Sequence, residues 1–191
     1  MPRRIVYFGP AAAGKTTNLF VLSRAAPETA NLRAIPLEAD RVLSLSLALP
    51  SKRGETMEYE LVTIAGSVFY ETAWTDLFRG ADGFVFVADG RKDAADDNLY
   101  SLRRFDAHLK SVGLNRTNSA VVFQANKLDL AGTLTPAAME KQLGEHVVPA
   151  MATQGRGVVE TLRAALERFA PAESARIDWA VITGQPIPDA E

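Results

Sequence analysis

The chain has 191 residues, with 21 Lys plus Arg against 23 Asp plus Glu and no cysteine. That length fits one domain with a substantial core, and the lack of cysteine excludes disulfide frameworks, Cys-ligated zinc, iron–sulfur clusters and thiol catalysis. A formal charge of −2 argues against a strongly basic nucleic-acid binder. With neither a signal-peptide core nor a membrane-spanning apolar run, a soluble cytoplasmic protein without an intrinsic membrane anchor is expected.

Along the chain, apolar runs alternate with helical periodicity, the pattern of βα units around a mostly parallel sheet. Ile5 to Phe8 reads as a buried first strand. A glycine-bounded turn follows, then a helix from about Lys15 to Arg24, stopped before Pro27. Residues 26–40 read as irregular. Leu43, Leu45, Leu47 and Leu49 alternate with Ser44, Ser46 and Ala48, a period-2 strand that should form an antiparallel hairpin with Met57 to Ile64. The continuous apolar runs Gly83 to Asp89 and Ala120 to Ala125 read as central strands. Between them Leu99, Leu102, Phe105, Leu109 and Val112 keep helical spacing up to Gly113. Thr135-Pro136 opens a further helix, and His146 to Met151 reads as a last short strand. Val158, Leu162, Leu166 and Phe169 mark the final helix of a domain spanning residues 1–170. Residues 171–191 read as an extension, loose in part, whose Trp179-Ala180-Val181-Ile182 should pack back on the body. Six strands are counted, with a seventh left open.

Two motifs carry chemistry. Gly9-Pro10-Ala11-Ala12-Ala13-Gly14-Lys15-Thr16 is G-x-x-x-x-G-K-T, set between a strand and a helix as a phosphate-binding P-loop requires. Gly9 and Gly14 permit backbone geometry that side chains would obstruct. The amides from Ala11, Ala12 and Ala13 through Gly14 to Thr16 and Thr17 can form an anion nest at the positive end of the helix. Lys15 would reach the β- and γ-phosphates and the Thr16 hydroxyl would ligate Mg²⁺. The second motif is Asn126-Lys127-Leu128-Asp129, directly after a strand. The Asp129 carboxylate can accept from guanine N1–H and the exocyclic amine together, a donor pair adenine lacks. Asn126 can brace the loop or the purine edge, and the Lys127 stem can cover the base. Four residues are a weak pattern alone, but ligands of open α/β sheets gather at such strand ends.

On these residues the chain resembles the small Ras-like GTPases over nearly its whole length, and in particular the bacterial MglA-type branch of gliding motility and cell polarity. Further local matches are Gly14-Lys15-Thr16-Thr17-Asn18, Thr63-Ile64-Ala65-Gly66 leading to Val68-Phe69-Tyr70, and Phe86-Val87-Ala88-Asp89. The resemblance implies an α/β P-loop NTPase fold, GTP and GDP as ligands with Mg²⁺, and GTP hydrolysis. It also implies a roadblock/longin-type (MglB-like) activating partner and effectors on switch residues 38–79. Ala152-Thr153 before Gly155-Arg156-Gly157 is similar to the third guanine loop, where the Ala152 N–H would meet guanine O6.

The switch segments depart from the common pattern. Thr63 stands for the usual Asp, as in MglA-type proteins, and Gly66 keeps the amide that senses a γ-phosphate. Ser67 replaces the water-orienting glutamine, which implies slow intrinsic hydrolysis. Arg41 falls where MglA-type proteins carry an arginine that can act in cis as a finger; a solvated surface arginine is the plainer alternative. Val42 stands where a Mg²⁺-ligating threonine is usual, leaving Asp40 or a water to fill the place. The aromatics Phe69, Tyr70, Trp74 and Phe78 read as core first and as a partner surface second, and His108 and His146 read as surface or boundary residues. Three functions compete: a GTP-hydrolysing switch, a nucleotide-bound scaffold with little turnover, and a small-molecule P-loop kinase, which would leave Asn126 to Asp129 without a role.

Overall fold

A computed structural model describes residues 2–26, 28–37, 40–65 and 71–183, with the backbone alone at Asp40 and Thr183. In chain order it contains β1 (Arg3–Phe8), α1 (Lys15–Ala25), β2 (Ala30–Leu37), β3 (Asp40–Pro50), β4 (Thr56–Ala65), α2 (Glu71–Arg79) and β5 (Gly83–Asp89). There follow α3 (Ala95–Ser111), β6 (Val121–Asn126), α4 (Pro136–Leu143), β7 (Val147–Pro149), α5 (Val158–Phe169), α6 (Pro171–Ser174) and α7 (Trp179–Thr183). Among the described residues one seven-stranded sheet runs in the order β2-β3-β4-β1-β5-β6-β7. β2, β3 and β4 pair antiparallel, and the remaining neighbours pair parallel. This is the mixed, mostly parallel α/β sheet expected of a Ras-like P-loop GTPase.

The two-residue alternation of the strands sorts their side chains onto the two faces. In β1, Ile5 and Tyr7 join one buried cluster with Leu19 and Leu22 of α1 and Leu162 and Leu166 of α5. Val6 and Phe8 join the other, with Trp74 and Phe78 of α2, Phe105 of α3 and Met139 of α4. With both faces covered, the central strands read as unbroken apolar runs. Phe8 lies 4.6 Å from Trp74 and 5.7 Å from Phe78, each in edge-to-face contact, so α2 is held by its aromatics. The α4 boundary follows its sequence signals: Thr135 Oγ1 accepts the Ala138 N–H at 3.2 Å, Pro136 opens the helix, and Gly144 closes it at φ 70°.

Two expectations need correction. Residues 26–40 are not irregular throughout, because Ala30–Leu37 forms β2, paired with β3 from Ala30↔Leu47 to Leu37↔Asp40. β2 is the sheet edge, exposed along most of its length, so no apolar alternation announces it, and Pro36 is tolerated there. His108 is no surface residue: it is 3% exposed beneath Phe8 and Phe78. Burial holds its imidazole below the ordinary value, against the opposing pull of Glu71, with Arg104 adding to the lowering.

The segment after α5 grips the tip of the β3–β4 hairpin. Lys52 N–H donates to Arg176 O and Asp178 N–H to Pro50 O, both at 2.8 Å, on either side of an antiparallel bridge between Ser51 and Ile177. Ile177 is fully buried and Ile182 nearly so. Ile177→Ala should cost about 2–5 kcal/mol through lost burial and the cavity left behind. A urea unfolding curve would show this as a lower midpoint at an unchanged slope.

Candidate functional site

The phosphate loop leaves β1 at Phe8 and enters α1 at Lys15. Gly9, at φ 146°, lies so close to β5 that an added Cβ would sit 2.1 Å from Val87 O. Gly14, at φ 104°, has the Asn126 amide 2.1 Å from where a Cβ would be. Both glycines are therefore required by the backbone's close approach to its neighbours. Ala12 adopts φ 57°, one of only two non-glycine residues with positive φ among those described. Strain of this kind collects at functional sites. Ala11 and Ala12 are exposed at the mouth of the loop, and Ala13 is buried beneath it.

Lys15 is 4% exposed, and its ammonium donates to Gly9 O at 3.0 Å and Pro10 O at 2.7 Å. Burial lowers its pKa to about 8. The lysine thus lies folded over a loop whose carbonyls satisfy it, beside the α1 N-terminus, whose first turn carries no acidic side chain to oppose an anion. Thr16 and Thr17, in that turn, are half-buried.

At the end of β6, Asn126 is 2% exposed and ties two loops together. Its Nδ2 donates to Ala13 O at 2.8 Å, and its Oδ1 accepts the Ala152 N–H at 2.9 Å. The Ala152 amide expected to face a guanine O6 is therefore engaged by Asn126. Lys127 is the second non-glycine residue with positive φ, at 65°. Its ammonium is held by Asp89 Oδ2 at 2.7 Å, the same oxygen that Arg91 Nη2 meets at 2.9 Å. Burial alone would raise the Asp89 carboxyl, but the bonds from Arg91 and Lys127 outweigh it and keep it below its ordinary value. Asp129 stays exposed, and among the described residues it accepts only the Thr153 hydroxyl at 3.4 Å, so its acceptor capacity is largely free.

Part of this set converges, while Gly9, Ala11, Ala13, Lys15 and Thr16 stand outside the lining. Ala12, Gly14, Thr17, Asn126, Lys127, Asp129 and Ala152 line a single cleft of about 200 Å³. It opens at the carboxyl ends of β1 and β6, where ligands of open α/β sheets bind. Larger depressions of about 620 and 660 Å³ lie elsewhere, one at the starts of β5 and β6 and one around Asp106 and Arg116, and neither includes the phosphate loop.

The switch residues are reached in part. Gly66, Ser67, Val68, Phe69 and Tyr70, with Glu38 and Ala39, lie outside the described residues. Thr63 is fully buried, and its hydroxyl donates to Tyr7 O at 2.8 Å across the β1–β4 pair. Arg41 is exposed, opposite Ala65 at the end of β4. Continuing the β1–β4 register of Val6↔Val62 sets Ala65 level with Gly9, so the Arg41 backbone is two strand spacings, about 10 Å, from the phosphate loop. Val42 is half-buried and packs on the aromatic cluster. Asp89 and the buried pair Asn18 and Gln124 carry no site role in the sequence reading. Their signal is a polar residue inside an apolar stretch or at one end of it.

No family model matches the chain. It is 37% identical over 169 residues to the mutual gliding-motility protein MglA of Myxococcus xanthus, an alignment covering 84% of this chain and 87% of the relative. It is 27% identical over 144 residues to ADP-ribosylation factor-like protein 6 of Caenorhabditis briggsae, covering 73% and 68%. It is 26% identical over 167 residues to human ADP-ribosylation factor-like protein 4D, covering 83% and 78%.

Proposed function

The chain belongs to the MglA-type small Ras-like GTPases, and on that premise we propose that it binds GTP and GDP with Mg²⁺, hydrolyses GTP, and acts as a cytoplasmic switch in bacterial polarity, motility or signalling. One observation carries the reading. The phosphate loop and the unspent Asp129 carboxylate open onto the same cleft, joined by Asn126. Asp129 would accept from the guanine edge. The loop amides and Lys15 would bind the phosphates, the lysine exchanging two carbonyls for phosphate oxygens.

The donor set suits the metal. The Thr16 hydroxyl is a hard oxygen in the first turn of α1, and the described residues contain no group of three or more His, Asp or Glu that could hold a cation by themselves. Such a cation would be held by Thr16 together with the nucleotide phosphates, the arrangement Mg²⁺ favours. When bound it would neutralise charge on the β- and γ-oxygens. The Thr63 hydroxyl donates its proton to Tyr7 O, so toward the cation it could act only as an acceptor, from a metal-bound water. In hydrolysis the Gly66 amide would sense the γ-phosphate and Arg41 would neutralise charge on it. Ser67 lacks the amide that orients water, so turnover would be slow without an activating partner. That partner is proposed to be a roadblock/longin-type (MglB-like) protein, docking with effectors on residues 38–79.

A second reading, a nucleotide-occupied scaffold with little turnover, draws support from Val42 packing into the aromatic cluster where a ligating hydroxyl would be useful. Single-turnover phosphate release separates the two. Arg41→Ala should slow release by on the order of 10³-fold at unchanged GDP affinity. Unchanged release would remove Arg41 from the chemistry. Release absent in the parent even with an MglB-type partner would favour the scaffold.

A further inference from the structure

Behind the cleft lies a second tier of polar side chains that would touch no nucleotide. Asn18 on α1, Gln124 on β6 and Thr161 on α5 are all fully buried. Asn18 Nδ2 donates to Gln124 Oε1, and Gln124 Nε2 returns a bond to Asn18 Oδ1, each at 2.9 Å. Gln124 Nε2 also donates to Thr161 Oγ1 at 2.8 Å. The two ends of this chain stop on backbone. Asn18 Nδ2 donates to Gly14 O at 2.9 Å, and Thr161 Oγ1 to Gly157 O at 2.6 Å.

Those end points are the last residue before Lys15 and the residue that opens α5 after the third loop. Gly157 is wedged so tightly that a Cβ there would meet Pro149 O at 2.1 Å. Gln124 and Asn126 share a face of β6, two residues apart. The tier Gly14–Asn18–Gln124–Thr161–Gly157 therefore lies beneath the tier Ala13–Asn126–Ala152, and each crosses from the phosphate loop through β6 to the third loop. Burying two carboxamides costs desolvation that an apolar pair would avoid. In return the reciprocal amide pair fixes direction and spacing as aliphatic contact cannot.

We infer that Asn18, Gln124 and Thr161 are positioning residues that hold the phosphate loop and the base-recognition loop at one separation, and so set how long an intact nucleotide stays bound. This rests on the nucleotide-site reading above. A ligand that engages two subsites gains from their being correctly spaced, a gain invisible to a ligand that engages one.

The test compares the parent with Gln124→Met, Thr161→Val, and the exchanged pair Asn18→Gln with Gln124→Asn, which keeps two facing carboxamides. For each, GDP release, affinity for guanosine and for pyrophosphate, and the melting temperature are measured. Gln124→Met should speed GDP release by roughly tenfold or more while leaving guanosine and pyrophosphate affinities within about twofold. Thr161→Val, which removes only the outer link and is the milder change, should speed release less. The exchanged pair should restore most of the residence time. Unchanged GDP release in both Gln124→Met and Thr161→Val would overturn the inference. So would a fall in all three affinities in step with the melting temperature, which would make the tier a support of the fold alone. A parent that fails to bind GDP would instead sink the nucleotide reading, and this inference with it.

Discussion

Asp129→Asn is expected to lower GDP affinity by on the order of 10³-fold or more and to make xanthosine diphosphate the better ligand. A carboxylate offers two acceptors to the N1–H and the amine of guanine. An asparagine amide offers one acceptor and one donor, so the guanine amine meets a like group and a buried donor is left unpaired. Sites that read a base or substrate by such bonds discriminate by as much as 10⁴–10⁵. Xanthine carries an oxygen where guanine carries the amine, which complements the asparagine. Asp129 is exposed and, among the described residues, bound only to Thr153, so folding stability should move by less than about 0.5 kcal/mol. Competition between the two diphosphates, with a melting curve beside it, checks both parts. Unaltered GDP affinity would mean that the base is not read at this position.

Lys15→Met separates binding from folding in the opposite sense. Losing two charge-assisted bonds to phosphate should cost about 3–6 kcal/mol of binding, roughly 10²–10⁴-fold in affinity. In the nucleotide-free protein, however, the buried ammonium is a liability. Its pKa falls from 10.5 to about 8 on folding, a cost on the order of 3 kcal/mol while the lysine is charged in both states. As pH rises through 8 the folded protein sheds this proton, and the unfolded chain keeps its own until near 10.5. The unfolded state then binds more protons, so stability rises between those values. The parent should therefore gain stability from pH 8 to 10.5 relative to Lys15→Met, whose curve lacks that component. Parallel pH profiles for the two proteins would show that the ammonium is not buried in the empty site.

The phosphate loop and the Asn126–Asp129 segment were legible because each is a contiguous motif whose chemistry is carried by neighbours in sequence. The central strands were legible for a related reason: burial on both faces writes an unbroken apolar run. What was hidden depends on partners far away in the chain. β2 is held by hydrogen bonds to β3 and exposes most of its side chains, so its strand character belongs to the pairing rather than to its own pattern. The engagement of the Ala152 amide is set by a side chain 26 positions earlier. The tier of Asn18, Gln124 and Thr161 joins three elements that no local window contains. His108 was the recoverable case. It follows Phe105 by three places on α3, on the stripe that points into the aromatic cluster, and the polar ring masked an apolar address.

The Lys127 contact with Asp89 has a similar lesson. Sequence suggests a lysine stem free to lie on a base, whereas the ammonium is anchored through Asp89 to Arg91. Lys127 lines the cleft with Asp129 while its ammonium is held by Asp89.

The most direct test of the central claim, that this cleft selects a guanine nucleotide, is a titration of the nucleotide-free protein with GDP and with ADP in the presence of Mg²⁺. GDP should bind at least 10³-fold tighter than ADP, because ADP cannot give Asp129 its two donors. Equal affinities, or a preference for ADP, would contradict it and return the P-loop to an adenine-nucleotide reading.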